Sequence, residues 1–251
     1  MKVELIAHSQ VKKGLDIERL KDEYSVCDGQ IISLAAIRQC YSYKTALEVL
    51  DTESEKYFGE KGKEGNRLFN QIVRSGHVST VEHTTFTFAV EGVSRALLAQ
   101  LTRHRQLSFS VQSQRYNKFS SDSRSGGFDY VVPETVNKNR KSEYKKLNDN
   151  YIWVNRDVKE IYDEHMAAVQ RVYDALIESG VPQEDARSVL PNAATCNLVT
   201  SGNLRAWLEF YKKRKKGEGA QHEITVFAEL IKNAIIEVEP WTAEYFELGG
   251  K

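Results

Sequence analysis

Cysteine, proline and methionine are scarce: three Cys, four Pro and two Met in 251 residues. Cys27, Cys40 and Cys196 stand far apart and form no CxxC pair. That excludes a disulfide scaffold and a cysteine-based zinc site, and fits a reducing compartment. Neither sign of charge is in surplus, with 35 Lys+Arg against 35 Asp+Glu. A chain without a basic surplus is no general nucleic-acid coat, so any anion site has to be local. No run of about 18 apolar residues is available to span a membrane. The opening MKVELIAHSQ has no signal-peptide pattern, and the expectation is a cytoplasmic protein without a membrane partner. G-x-G-x-x-G and G-x4-G-K-[ST] do not occur, which removes the two common phosphate-cradling loops.

What remains is an ordinary globular composition, 41% apolar and 28% charged, long enough for a sizeable core. VELIAHS near the start reads as a short strand. Residues 30–40 are a strand or a buried helix, which periodicity does not decide. Residues 51–66, charged and glycine-bearing, read as a solvated loop, and 67–76 as a short helix. Thr84–Val90 alternates, with Phe86, Phe88 and Val90 on one side, and predicts a half-buried strand. Ser94 then caps a helix that turns Ala96, Leu97 and Leu101 to the core. Residues 117–127 read as a polar loop and Tyr130–Val132 as a short strand. Residues 152–179 predict one long amphipathic helix, with Ile161, Tyr162, His165, Val169, Val172, Tyr173 and Leu176 on its apolar face. Gly180 ends it and Pro182 starts a short helix. Thr195–Thr200 reads as a strand, Asn203 to about Lys216 as a helix, and Glu223 to about Glu239 as a last helix stopped by Pro240. The sum is an α+β fold: one helix-rich domain over residues 1–251 with a small mixed sheet.

Charge is unbalanced locally. Gly92–Ser120 contains no acid but holds Arg95, Arg103, Arg105, Arg115 and Lys118 among short polar side chains. Asn203–Lys216 has six basic residues against Glu209 alone. Guanidinium forks among hydroxyls and amides suit phosphate and base edges by geometry. The lysine-rich end of the second window is in its plainest reading a solvated helix terminus.

The first window contains RHRQLSFSVQSQRY, Arg103 to Tyr116: RHR, seven residues, then Ser113. This resembles the RHR-x7-S signature of the flavin-dependent thymidylate synthases. His77-Val-Ser-Thr-Val-Glu82-His83 resembles the family's H-x-[ST]-x-x-E-H segment. Ala186-Arg187-x-x-Leu190-Pro191, Asn203-Leu-Arg205 and Arg214 are similar to its later segments, and Ala35-Ala36-x-Arg38-x-Cys40-Tyr41 to its N-terminal one. The likeness runs in family order from about residue 30 to 245.

The resemblance implies a homotetramer with shared active sites that makes dTMP from dUMP. Methylenetetrahydrofolate would give the carbon, NADPH the electrons, and FAD would carry the hydride. It implies no nucleic-acid partner and no metal. His77, Ser79, Glu82, Arg103, His104, Arg105, Val111, Asn203, Leu204, Arg205 and Glu209 would bind the cofactor. Gln100, Leu101, Thr102, Arg103, Val111, Gln112, Ser113, Gln114, Arg115, Arg187 and Arg214 would bind the nucleotide. Arg214 would be catalytic, because a fixed cation at the uracil ring stabilises developing negative charge. No activating base accompanies Ser113, which reads as a hydrogen-bond donor rather than a nucleophile. Cys40 and Cys196 read as buried small side chains. Two positions depart from the pattern: Val111, where a Glu or Gln is usual, and Glu209, where some members have Asn. The loop after Arg214 is one residue longer. Residues 52–66 and 117–127 read as family-variable loops. Two further readings are a nucleotide- or RNA-binding protein built on the two basic windows, and a family member that keeps the fold without turnover.

Overall fold

The computed structural model describes residues 1–142 and 155–248. In chain order the elements are β1 (Lys2–His8), α1 (Leu20–Tyr24), α2 (Asp28–Gln39), α3 (Ala46–Ser75), β2 (Thr85–Ser94), α4 (Arg95–Leu101), β3 (Ser108–Val111), β4 (Lys141–Ser142), β5 (Arg156–Asp157), α5 (Val158–Glu178), α6 (Gln183–Ala186), β6 (Thr195–Asn203), α7 (Leu204–Arg214), α8 (His222–Val238) and α9 (Ala243–Leu248). The helix-rich α+β class is as expected. Four strands lie side by side in the order β1-β2-β6-β3. Ser9 N donates to Thr85 O, Thr87 Oγ1 meets Ser201 Oγ, Gly92 N reaches Asn197 Oδ1, and Gln112 N reaches Asn197 O. Gly92 also lies beside Met1, and Gly202 beside Leu107, so each strand runs against its neighbour and the sheet is antiparallel rather than mixed.

The chain divides into two compact units. One contains residues 1–2, 90–103 and 110–198; the other contains 3–89, 104–109 and 199–251. In the first, Phe119, Tyr173 and Ala186 are buried, with Phe128, Leu176 and Val189 packed on them. In the second, Leu20, Ile31, Leu34, Ile37, Leu50, Phe58, Phe69 and Ile72 of α1–α3 bury together with Tyr245. A chain of edge-on rings, Phe88–Trp207–Phe210–Phe227, runs from β2 across α7 to α8, with centroids 5.2, 5.8 and 5.7 Å apart. Such contacts fix ring orientation as well as burying area.

Local chemistry accounts for most boundaries. Ser94 Oγ accepts from Leu97 N at 3.0 Å and starts α4, as expected. Asn203 Oδ1 accepts from Ala206 N at 2.9 Å and starts α7. Residues 30–40, undecided in the sequence, lie in helix α2 and the turn after it. The expected loop at 51–66 and short helix at 67–76 are one helix, the 30-residue α3. Thr45 and Glu48 close a capping box, Glu48 Oε2 accepting from Thr45 N at 2.8 Å. Lys and Glu are good helix formers, so charge there marks a solvated helix face and not a loop. Gly62 inside it adopts φ +71°, a left-handed conformation that only glycine takes cheaply. Residues 152–154 of the expected long helix lie outside the described residues, Arg156–Asp157 form β5, and α5 begins at Val158. On α5, Met166 and Tyr173 are the buried residues, whereas His165 and Val172 face solvent. In place of the expected strand at Tyr130–Val132, Tyr130 forms an isolated antiparallel bridge with Ala194. Beyond Pro240 the chain turns and continues as α9.

Candidate active site

The implied residues fall into sets within each unit. In the second unit, His104 follows the first arginine of the RHR segment and Arg214 ends α7. Arg214 Nε donates to His104 Nε2 at 3.1 Å. An arginine nitrogen always donates, so His104 Nε2 is the acceptor and the ring carries its proton on Nδ1. The imidazole edge rests on Phe210, centroids 4.9 Å apart, which fixes its plane. Two residues 110 positions apart are thus joined, and the Arg214 guanidinium is oriented rather than loose.

Arg205, on the first turn of α7, sits between two carboxylates. Its Nη1 donates to Glu82 Oε1 at 2.6 Å and its Nε to Glu209 Oε1 at 3.0 Å. Glu82 and then Glu209 hold the guanidinium proton more firmly than usual. Glu209 therefore supplies a bond that aims Arg205. Asn203 spends its amide oxygen on the α7 cap and keeps its amide nitrogen. Leu204 is fully buried and its backbone N donates to Thr84 O at 2.8 Å, so it backs the site rather than facing it. His77 and Ser79 are exposed around the turn after α3, and Tyr41 Oη lies 3.0 Å from His77 Nδ1. Arg105 is exposed. Hydroxyl, amide, imidazole and guanidinium groups that end at the surface of this unit form a donor set suited to an anionic, hydroxyl-rich cofactor.

In the first unit, Gln100, Leu101, Thr102 and Arg103 close α4 and the turn after it. Leu101 is fully buried and Arg103 exposed. Val111 ends β3, half-buried. Gln112 is fixed on β6, its N donating to Asn197 O at 2.8 Å and its Oε1 accepting from Asn197 N at 3.2 Å. Arg95 Nη2 donates to Gln112 O at 2.8 Å, a support from the acid-free window to which no role was assigned. Ser113 organises a turn: its Oγ accepts from Arg115 N, and its carbonyl accepts from Asn117 Nδ2 at 2.7 Å. Gln114 is half-buried beside it. Arg115 pairs with Glu184, and Arg187 Nε donates to Glu184 O at 3.0 Å. Glu184 and Arg95 are contacts that spacing in a single sequence gives no means to foresee.

Cys196 is buried in β6. Cys40, expected to be buried, is exposed at the end of α2, where the chain leaves the core. Burial and the nearby Glu239 and Asp28 push the Cys27 thiol up to about 11.

Residues 24–241 match the model of the family described as thymidylate synthase complementing protein. The chain belongs to the flavin-dependent thymidylate synthase family. A protein of that name from Nitratidesulfovibrio vulgaris is 38% identical over 209 residues, 82% of this chain and 77% of that one. Another from Geobacter sulfurreducens is 37% identical over 197 residues, 78% of this chain and 72% of its own. Among solved structures, a UMP/dUMP methylase, PolB, from Streptomyces cacaoi bound with 5-Br dUMP superposes with a TM-score of 0.70. That match covers 99% of this chain and 95% of the other at 24% identity, a likeness of fold. Family membership makes this protein an enzyme of the methyltransferase kind. Among the described residues no helix is long and apolar enough to cross a membrane.

Proposed function

We propose that this chain converts dUMP to dTMP as a single catalytic domain, with methylenetetrahydrofolate as carbon donor and NADPH as electron donor through FAD. The observation that carries the reading is the His104–Arg214 hydrogen bond, which joins the RHR segment to the one arginine implied to act on the pyrimidine. FAD, when bound, supplies a ring that accepts and delivers hydride. His77, Ser79, Glu82, Asn203 and Arg205 would hold it, with Arg103, His104 and Arg105 toward its diphosphate and ring; Val111, Leu204 and Glu209 complete that set. Gln100, Thr102, Gln112, Ser113 and Gln114 hold the nucleotide by hydrogen bonds, and buried Leu101 backs them. Arg115 and Arg187 grip its phosphate.

Arg214 stays charged at any working pH and lies beside the pyrimidine N3. There it favours loss of the N3 proton and stabilises the negative charge left on the ring. The added electron density at C5 makes that carbon the nucleophile toward the one-carbon unit. No thiol attack on the ring is needed. Two of the three cysteines support this: Cys196 is buried and burial pushes the Cys27 thiol up to about 11, while Cys40 is exposed at the end of α2. In this reading the enzyme works in the cytoplasm as a homotetramer whose sites draw residues from several copies.

The test is a visible spectrum of FAD-saturated, desalted protein, followed by a dTMP assay. Retained flavin, perturbed by dUMP, together with dTMP formation is the expected result. Protein that keeps no flavin and forms no dTMP would overturn the reading.

A further inference from the structure

Arg115 and Arg187, assigned above to the nucleotide phosphate, both meet Glu184. Arg115 donates through Nε and Nη2 to one carboxylate oxygen, Glu184 Oε2, at 3.0 and 2.9 Å. Arg187 Nε donates to the Glu184 carbonyl at 3.0 Å. Gln183 donates its side-chain amide to the carbonyl of Arg115, and Arg115 N is held by Ser113 Oγ at 3.1 Å. The backbone on both sides of the ion pair is therefore fixed, and α6 presents a carboxylate to the arginine implied to receive a phosphate. Carboxylate and phosphate oxygens use the same face of a guanidinium fork. The two side chains are 52% and 48% exposed, so the pair is weak and open to exchange.

We propose that Glu184 determines specificity for phosphate-bearing substrate: its carboxylate holds Arg115 aimed for an anion and is exchanged for the phosphate of the incoming nucleotide. The proposal rests on the nucleotide reading above. A tethered carboxylate competes with every free anion. A phosphate near two negative charges, carried on a nucleotide with contacts of its own, displaces it; a small monoanion does not. A nucleoside brings no anion and gains nothing from the exchange. Glu184 thereby lowers dUMP affinity somewhat and in return excludes weaker anions from Arg115.

The experiment compares wild type with Glu184→Gln, both saturated with FAD, by titration calorimetry with dUMP and with deoxyuridine. Gln keeps the acceptor oxygen and the shape and removes the charge. Glu184→Gln should bind dUMP about three- to fivefold more tightly, the scale of an exposed ion pair. Deoxyuridine affinity should not change, and the turnover assay should show a lower KM at constant kcat. Acetate should compete with dUMP in the variant and not in wild type. Unchanged or weaker dUMP binding in Glu184→Gln, or an equal gain for deoxyuridine, would overturn the exchange and leave the nucleotide reading standing. No dUMP binding to either protein would overturn both.

Discussion

A guanidinium steadied by an imidazole presents its remaining N–H groups in one direction, and this is what His104 does for Arg214. A preorganised donor of this kind contributes about 3–4 kcal/mol to a developing negative charge in other enzymes, on the order of a hundredfold or more in rate. Arg214→Ala should therefore retain FAD and lose at least about 100-fold in dTMP formation. Turnover within a few-fold of wild type would remove Arg214 from its assigned role. The residues of this site were legible as a string of motif positions, but their partners were not. His104 and Arg214 are 110 residues apart and Arg205 and Glu82 are 123 apart, distances over which one sequence carries no pairing signal. Asn203, implied as a ligand residue, also caps α7 through its amide oxygen. Leu101 and Leu204 show the reverse, since alignment with a motif does not distinguish a residue that faces a ligand from a buried one that supports it.

Helix α2 approaches the end of α8 so closely that only glycine fits at its second position. A Cβ on Gly29 would lie 2.6 Å from Glu239 Oε2, and Gly29 N already donates to Glu239 Oε1 at 2.9 Å. Glu239 is completely buried, so it has no solvent into which to retreat. Gly29→Ala should cost about 1–3 kcal/mol of stability, the usual cost of overpacking, read as a lower urea midpoint. A midpoint equal to wild type would mean that Glu239 has room to move. At this scale the sequence served well where caps and alternation were strong, as in β2, α4 and α7. It failed at α3, where Gly59, Gly62 and Gly65 among charges resemble a loop. The Thr45-x-x-Glu48 capping box was the signal that favoured a helix start, and it is satisfied. The exposed Cys40 was misplaced because its apolar neighbours face the core from the same helix while it caps the end.

For the molecule as a whole, Glu239 makes stability depend on pH. Burial and nearby Asp28 raise its carboxyl to about 7, against the hydrogen bonds from Trp241 and Gly29, which favour the ionised form. Asp28 in turn faces Lys21, and Cys27 adjoins it on the other side. Between the ordinary 4.5 and about 7 the folded protein holds a proton that the unfolded chain has released. Stability from this group is thus complete at low pH and is lost as pH rises through 7, by up to about 3 kcal/mol. Urea midpoints at pH 5 and pH 8 should differ in wild type, and the difference should shrink in Glu239→Gln. Equal midpoints in wild type would rule the effect out. The same part of the fold has a consequence for biosynthesis. The core over α1–α3 is completed by Tyr245 and packed against by Leu208 and Trp241, in a unit assembled from residues 3–89, 104–109 and 199–251. A ribosome makes Leu208, Trp241 and Tyr245 long after Ser75, the last residue of α3. During that interval the apolar faces of α2 and α3 have emerged without their cover, and the nascent chain depends on slow synthesis, transient shielding or chaperones until those residues follow.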